Sequence, residues 1–207
     1  ARRQRQMCIR DRNRTGTVII EDDFNTELRY RIAPQPTLST LAPAADVLTL
    51  GTFSTLLSRE LAAGYVVASP ATVARLKEVR GILGMPVATV TQRAIASLLH
   101  GGVVRRNTRA VHRALAQRRQ LLQDRLVPLF DDARLAPGDG ADLTVQFSSH
   151  LARDAFETRL LEAGIECGHE SSLWTDGGDG LVFSFAHLSD GEFTRTVDII
   201  GQTIHPY

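Results

Sequence analysis

Apolar and polar positions fall in short blocks over the first third of the chain and at helical spacing after it. Residues 17–23 (TVIIEDD) form a brief apolar run ending in acids, the pattern of a buried parallel strand whose C-terminal end carries chemistry. Residues 46–53 (DVLTLGTF) and 64–69 (GYVVAS) predict a second and a third strand. Pro34, Pro36 and Pro43 mark a loop between the first two. Residues 69–81 (SPATVARLKEVRG) predict a helix, with Ser69 at its N-cap, Pro70 in its first turn and Gly81 at its end. Residues 89–102 predict another, stopped by Gly101 and Gly102. Residues 105–126 predict a longer one, with Val111, Leu115, Leu122 and Leu126 on or near one face.

Gly138, Asp139 and Gly140 break the pattern. Beyond them, residues 141–149 alternate like a half-buried strand, and 151–164 predict an amphipathic helix ended by Gly164. A short strand is expected at 165–170 (IECGHE) and a longer one at 180–187 (GLVFSFAH). A closing helix is expected over 188–204, with Ser189 as N-cap and acids in its first turn. The chain has no internal repeat. Alternating strands and helices argue for an α/β fold. A boundary within 100–137 divides a parallel-sheet part from a smaller α+β part. Three strands make a poor central sheet, so the rest of it is absent or supplied by a partner.

Composition narrows the function. The 207 residues carry a net charge of +1, so there is no global pull toward nucleic acid or anionic membrane. No apolar run is long enough to span a bilayer. Cys8 and Cys167 are too few for a disulfide framework, and no signal peptide is visible, so a cytoplasmic setting is expected. The basic residues are 23 arginines and a single lysine, Lys77. The first residue is Ala rather than Met, as in a processed product or fragment. Residues 1–16 are basic and nearly free of apolar residues. They read as a disordered or artefactual segment, and their MCIRDR string resembles a translated sequencing adaptor.

Two stretches carry a more specific message: IIEDDFNTELRY (19–30) and LGTFSTLLSRELAAGYVVASP (50–70). They resemble fold-type I pyridoxal-phosphate enzymes, the class I aminotransferases, and most of all the aminotransferase-like effector domain of MocR-type (GntR-family) transcriptional regulators. The family pattern is E-D-D-Y-[DN]-[ST]-E-[FL]-R-Y followed by G-T-F-S-K-x-L-x-P-x-L-R-x-G-Y. Residues 91–122 and GLVFSFAHLSDGEF resemble the family's domain-joining helices and small domain. The resemblance implies a fold-type I aminotransferase-like α/β architecture: the second half of the large-domain parallel sheet plus an α+β small domain. It divides the chain into the 1–16 segment, a partial large domain (17–100), a domain-joining helix and linker (101–137), and a small C-terminal domain (138–207).

The resemblance also implies pyridoxal phosphate, an electron sink held by a lysine as a Schiff base. Asp22 matches the carboxylate that faces the ring nitrogen and keeps it protonated. Phe24 stands where a phenol is usual. Ser54 matches the hydroxyl beside the lysine, and Thr55 occupies the lysine's own position. Ala62 stands where a phosphate-binding arginine is usual, and Arg59 is the nearest substitute. Val182 lies where many aminotransferases keep an arginine for the substrate carboxylate. A threonine has no amine, so no internal aldimine is expected and no catalytic residue is assigned. Lys77 is expected to be a surface cation.

Other features are weaker. Seven arginines (105, 106, 109, 113, 118, 119 and 125) on the long helix suggest either a DNA-contacting helix or a joining helix whose arginines pair with acids elsewhere; the resemblance favours pairing. Cys167 and His169 are two ligands, not a metal site. His100, His112, His150 and His187 have no visible partner. Glu21, Asp22 and Asp23 need partners if buried, and pairing with Arg29 is the structural alternative to a site. The leading expectation is a truncated, degenerate effector domain of a MocR-type regulator. The intact protein would be a homodimer that binds DNA only through an upstream domain, with no membrane role. The alternatives are a fragment of a pyridoxal-phosphate-dependent aminotransferase with a lost or misread lysine, and a non-catalytic interaction module.

Overall fold

A computed structural model describes residues 17–24, 26–31, 36–43, 46–129, 134–136, 138–168 and 179–203. They fall into two compact units, Ala1–Leu28 with Ala33–Ala110, and Arg29–Ile32 with Val111–Tyr207.

The first unit holds a three-stranded sheet in the order β1 (Ile19–Asp22), β2 (Val47–Thr52), β3 (Gly64–Val67). β1 and β2 run parallel, with Ile19 opposite Val47 and Asp22 opposite Leu50. β3 is antiparallel to β2, pairing Gly51 with Tyr65 and Thr52 with Gly64. The sheet is therefore mixed: β1 and β2 are parallel, as expected of this part, and β3 is not. The reason is the short β2–β3 connection, a turn with one 3-10 segment (Arg59–Leu61), where a parallel return needs a longer crossover.

The proline-rich loop contains an unforeseen one-turn helix, α1 (Leu38–Leu41), capped by the Thr37 hydroxyl. Ser69 caps α2 (Pro70–Ile82) as expected, accepting from Thr72 N. α3 (Thr89–His100) follows, and then α4 (Val103–Leu126), within which the boundary between the units falls.

The second unit is an antiparallel sheet, β4 (Arg134–Leu135), β5 (Asp142–Gln146), β6 (Gly180–Ser184), with α5 (His150–Glu162) and α6 (Asp190–Thr203). α5 packs on β6 and α6. Leu126, Leu143, Leu160, Leu181 and Ile200 are fully buried and form its core, with Phe156, Phe183, Phe185 and Phe193 around them. Ser189 and Glu192 close a reciprocal capping box at the start of α6. The strand expected at 165–170 is reduced to a bridge from Gly168 to Val182, and residues 169–170 lie outside the described set. β4, two residues long, carries no sequence signal.

Candidate functional site

Asp22 stands at the C-terminal end of β1, and Ser54 and Thr55 follow the C-terminal end of its parallel partner β2. The three acids there separate by pleat. Glu21 turns to the face it shares with Thr49: its carboxylate accepts from the Thr49 hydroxyl at 3.2 Å and from Leu38 N at 3.0 Å. It ties α1 to the sheet, a structural task. Asp22, one residue on, lies on the opposite face, is exposed, and has no hydrogen-bond or ion-pair partner among the described residues. Asp23 extends the pairing through its own N–H to Leu50 O.

Arg29 does not pair with these acids, contrary to the structural alternative entertained above. It belongs to the second unit, where Asp139 takes it at 3.3 Å. Asp139 also accepts from Tyr30 N at 3.0 Å and Arg31 N at 2.6 Å, and its side chain is fully buried. A carboxylate that collects three donors belongs in the interior; a Gly-Asp-Gly break alone did not reveal it.

β2 runs into a tight turn over 53–57, closed by Leu57 N to Phe53 O. Ser54 and Thr55 sit in this turn and are half-buried. Ser54 N donates to Thr52 Oγ1 at 3.0 Å. Thr55 Oγ1 is fully buried with no hydrogen-bond partner among the described residues. Asn107 of α4 reaches back to Leu56 O and pins the turn. Asn107 drew no notice in the sequence because its partner lies 51 residues away.

Two glycines shape the same corner. A Cβ on Gly51 would stand 2.2 Å from Tyr65 Cζ, and one on Gly64 would stand 2.8 Å from Gly51 O. Tyr65 lies over Gly51, packs on Phe53 with ring centroids 5.1 Å apart, and donates to Glu27 Oε1 at 3.3 Å. Burial pushes the Glu27 carboxyl above its usual range, against the bond from Tyr65 and helped by Asp23. Burial also raises the Tyr65 phenol, with the Glu27 charge adding to it.

Phe24 is 53% exposed. Arg59 opens the 3-10 segment, but its side chain lies outside the described residues. Ala62 has φ of 43°, a left-handed conformation that costs an alanine roughly 1–2 kcal/mol. Lys77 is exposed on α2.

These residues do not fit a covalently held pyridoxal phosphate. Thr55 and Ala62, which the resemblance sets at the lysine and phosphate-arginine positions, offer a hydroxyl, buried and unpartnered among the described residues, and a methyl group.

Arg118 and Arg119 serve the structure. Arg118 donates to Asp190 Oδ1 at 2.6 Å and to the carbonyls of Phe185 and Leu188, and its guanidinium lies 5.2 Å from the Phe193 ring. Arg119 is buried and donates to Asp142 O at 2.7 Å. The expected pairing thus holds for Arg118. His100 bonds Ala96 O, His112 packs against Tyr30, and His150 pairs with Asp179, so these three do have partners.

Cys167 lines a pocket of about 230 Å³ in the second unit, with Leu122, Phe185, His187, Phe193 and Ile200. Burial, with Glu157 and Glu166, pushes its thiol up to about 12, which disfavours the nucleophilic thiolate. His169 lies outside the described residues. Among the described residues no group of three ligating side chains could hold a metal, and no helix is long and apolar enough to cross a membrane.

Comparison with known proteins adds lineage to this geometry. The family model for aminotransferase class I and II matches residues 16–200. The chain is 38% identical to the HTH-type pyridoxine biosynthesis transcriptional regulator PdxR of Corynebacterium glutamicum, over 81% of its own length and 37% of that protein's. It is 27% identical to the 2-aminoadipate transaminase of Thermus thermophilus, over 91% of its own length and 49% of that protein's. Among solved structures, the α-aminoadipate aminotransferase LysN of Thermus thermophilus, complexed with N-(5'-phosphopyridoxyl)-L-leucine, superposes with a TM-score of 0.74 at 23% identity. That match covers 97% of this chain and 53% of that one. The chain therefore spans about half or less of the length of these relatives.

Proposed function

Since the chain belongs to the aminotransferase class I and II family, we propose that it is the effector part of a MocR-type (GntR-family) transcriptional regulator whose cofactor-type site no longer forms an aldimine. The observation that carries this reading is Thr55. Its hydroxyl stands buried and unpartnered at the lysine's position, in a turn whose packing is otherwise intact. Transamination needs an amine there; a sensing domain needs only a shaped site.

Similarity to the Corynebacterium regulator over most of the chain supports the regulator over the enzyme. DNA recognition then resides in a winged-helix domain encoded upstream, and the site described here binds a small effector. The organisation is that of a partial large domain, a joining helix and a small domain. The two outer strands, β1 and β3, each offer an open edge to further strands of the same fold.

We also infer a homodimer. Leu76, Val79 and Ile82 on α2, Leu83 and Met85 just after it and Val90 on α3 are all exposed, apolar surface that a second copy of the chain would cover.

Sequencing the source gene upstream of codon 17 and across codon 55 tests the reading. A winged helix upstream and a threonine codon at 55 are expected. A lysine codon at 55 with no such domain would make the chain part of an ordinary aminotransferase, the reading favoured by its likeness to the Thermus transaminase.

A further inference from the structure

Four arginines crowd the first eleven positions of α4: Arg105, Arg106, Arg109 and Arg113. All four are exposed. At about 100° per residue they share one arc of the helix roughly 100° wide. Further along the same side the exposed residues are Gln117, Gln120 and Asp124, so the positive charge is confined to the N-terminal half. Arg106 donates to Gly101 O at 3.1 Å. Arg105, Arg109 and Arg113 make no ion pair or hydrogen bond with any described residue.

This placement works against the helix. Arg105 and Arg106, in the first turn, oppose the macrodipole, and no acid there offsets them. It also differs from Arg118 and Arg119, which are spent on internal contacts. At Arg105 the rule is broken without a compensating contact among the described residues, which points to use rather than stability.

We propose that this face of α4 binds the phosphate backbone of duplex DNA. Arg105, Arg109 and Arg113 recur every turn, about 6 Å apart along the axis. Guanidinium forks suit phosphate oxygens better than a point charge does. Asn107 and Thr108, the polar side chains best suited to reading base edges, are engaged with Leu56 O and Val104 O. The contact is therefore with phosphates and independent of sequence, positioning the DNA instead of reading it. The choice of DNA over an acidic protein rests on the regulator reading above.

The test compares the 207-residue chain with its R105Q/R109Q/R113Q variant on a short labelled duplex of arbitrary sequence. Binding is followed by fluorescence anisotropy between about 50 and 200 mM salt. Poly-L-glutamate serves as a second labelled probe, and circular dichroism checks that both proteins keep the same fold. The basic residues 1–16 are common to both proteins and cancel in the difference. The expected result is a plot of log K against log salt that is shallower by about 2.7 in the variant, with poly-L-glutamate binding both proteins alike. Equal slopes, no binding of the duplex at low salt, or a matching loss with poly-L-glutamate would overturn the proposal. None of these results touches the regulator reading, which stands or falls on codon 55 and the sequence upstream of codon 17.

Discussion

The ring of Tyr65 occupies the space that a side chain on Gly51 would need: a Cβ there would stand 2.2 Å from Tyr65 Cζ. The two residues face each other across the β2–β3 ladder. Their contact places the Tyr65 hydroxyl on Glu27 and the ring on Phe53. One glycine thus organises the corner where the 53–57 turn begins.

Gly51→Ala is expected to destabilise the chain by roughly 1–3 kcal/mol, the usual cost of overpacking. Urea unfolding measures it. In a Tyr65→Ala background the same substitution should cost much less, because the clashing ring is gone. Equal costs in both backgrounds would contradict the contact.

Ala62→Gly should do the opposite. The left-handed backbone at Ala62 strains an L-residue and suits glycine. A stabilisation of about 1 kcal/mol is expected, less the entropy glycine adds to the unfolded chain. A fall in the melting temperature would show that φ at position 62 is not positive.

The family motif was legible in the sequence, and the structure explains why parts of it persist. Gly51, Phe53, Gly64, Tyr65 and Glu27 hold one another in place. Phe24, Thr55, Arg59 and Ala62 depart from the pattern, and at positions 24, 55 and 62 the resemblance implies residues that touch a cofactor. The long elements were equally legible, because amphipathic spacing and the Ser69 and Ser189 caps are local signals. What sequence could not show was pairing at a distance. Arg29 meets Asp139 and Asn107 meets Leu56 O across gaps of 110 and 51 residues. The antiparallel sense of β3 was missed because strand direction is set by connection length, not by side-chain alternation.

Stability should depend on pH through Glu27. Burial raises its pKa in the folded chain, so the native state holds the proton more tightly than the unfolded one. Stability therefore falls as pH rises from the ordinary carboxylate value through the raised one. Glu27→Gln keeps an oxygen for Tyr65 and removes the charge. The variant is expected to be the more stable at pH 7, with the difference vanishing below the unfolded pKa. A variant less stable than the parent at pH 7 would contradict the burial of this carboxylate.

Asp139→Asn should cost about 2–3 kcal/mol, because one charged acceptor serves Arg29 Nε, Tyr30 N and Arg31 N. Thermal unfolding of the second unit reads the loss. If the Asn variant melted with the parent, this hub would not hold residues 29–31.

We propose that Thr55 leaves this site without covalent cofactor chemistry. The direct test is to mix the purified chain and its Thr55→Lys variant with equimolar pyridoxal phosphate, record the absorbance band near ~420 nm, and reduce with borohydride. The parent is expected to show no such band and no stoichiometric pyridoxyl mass on its one lysine, Lys77. A reducible band of one equivalent in the parent chain would contradict the account.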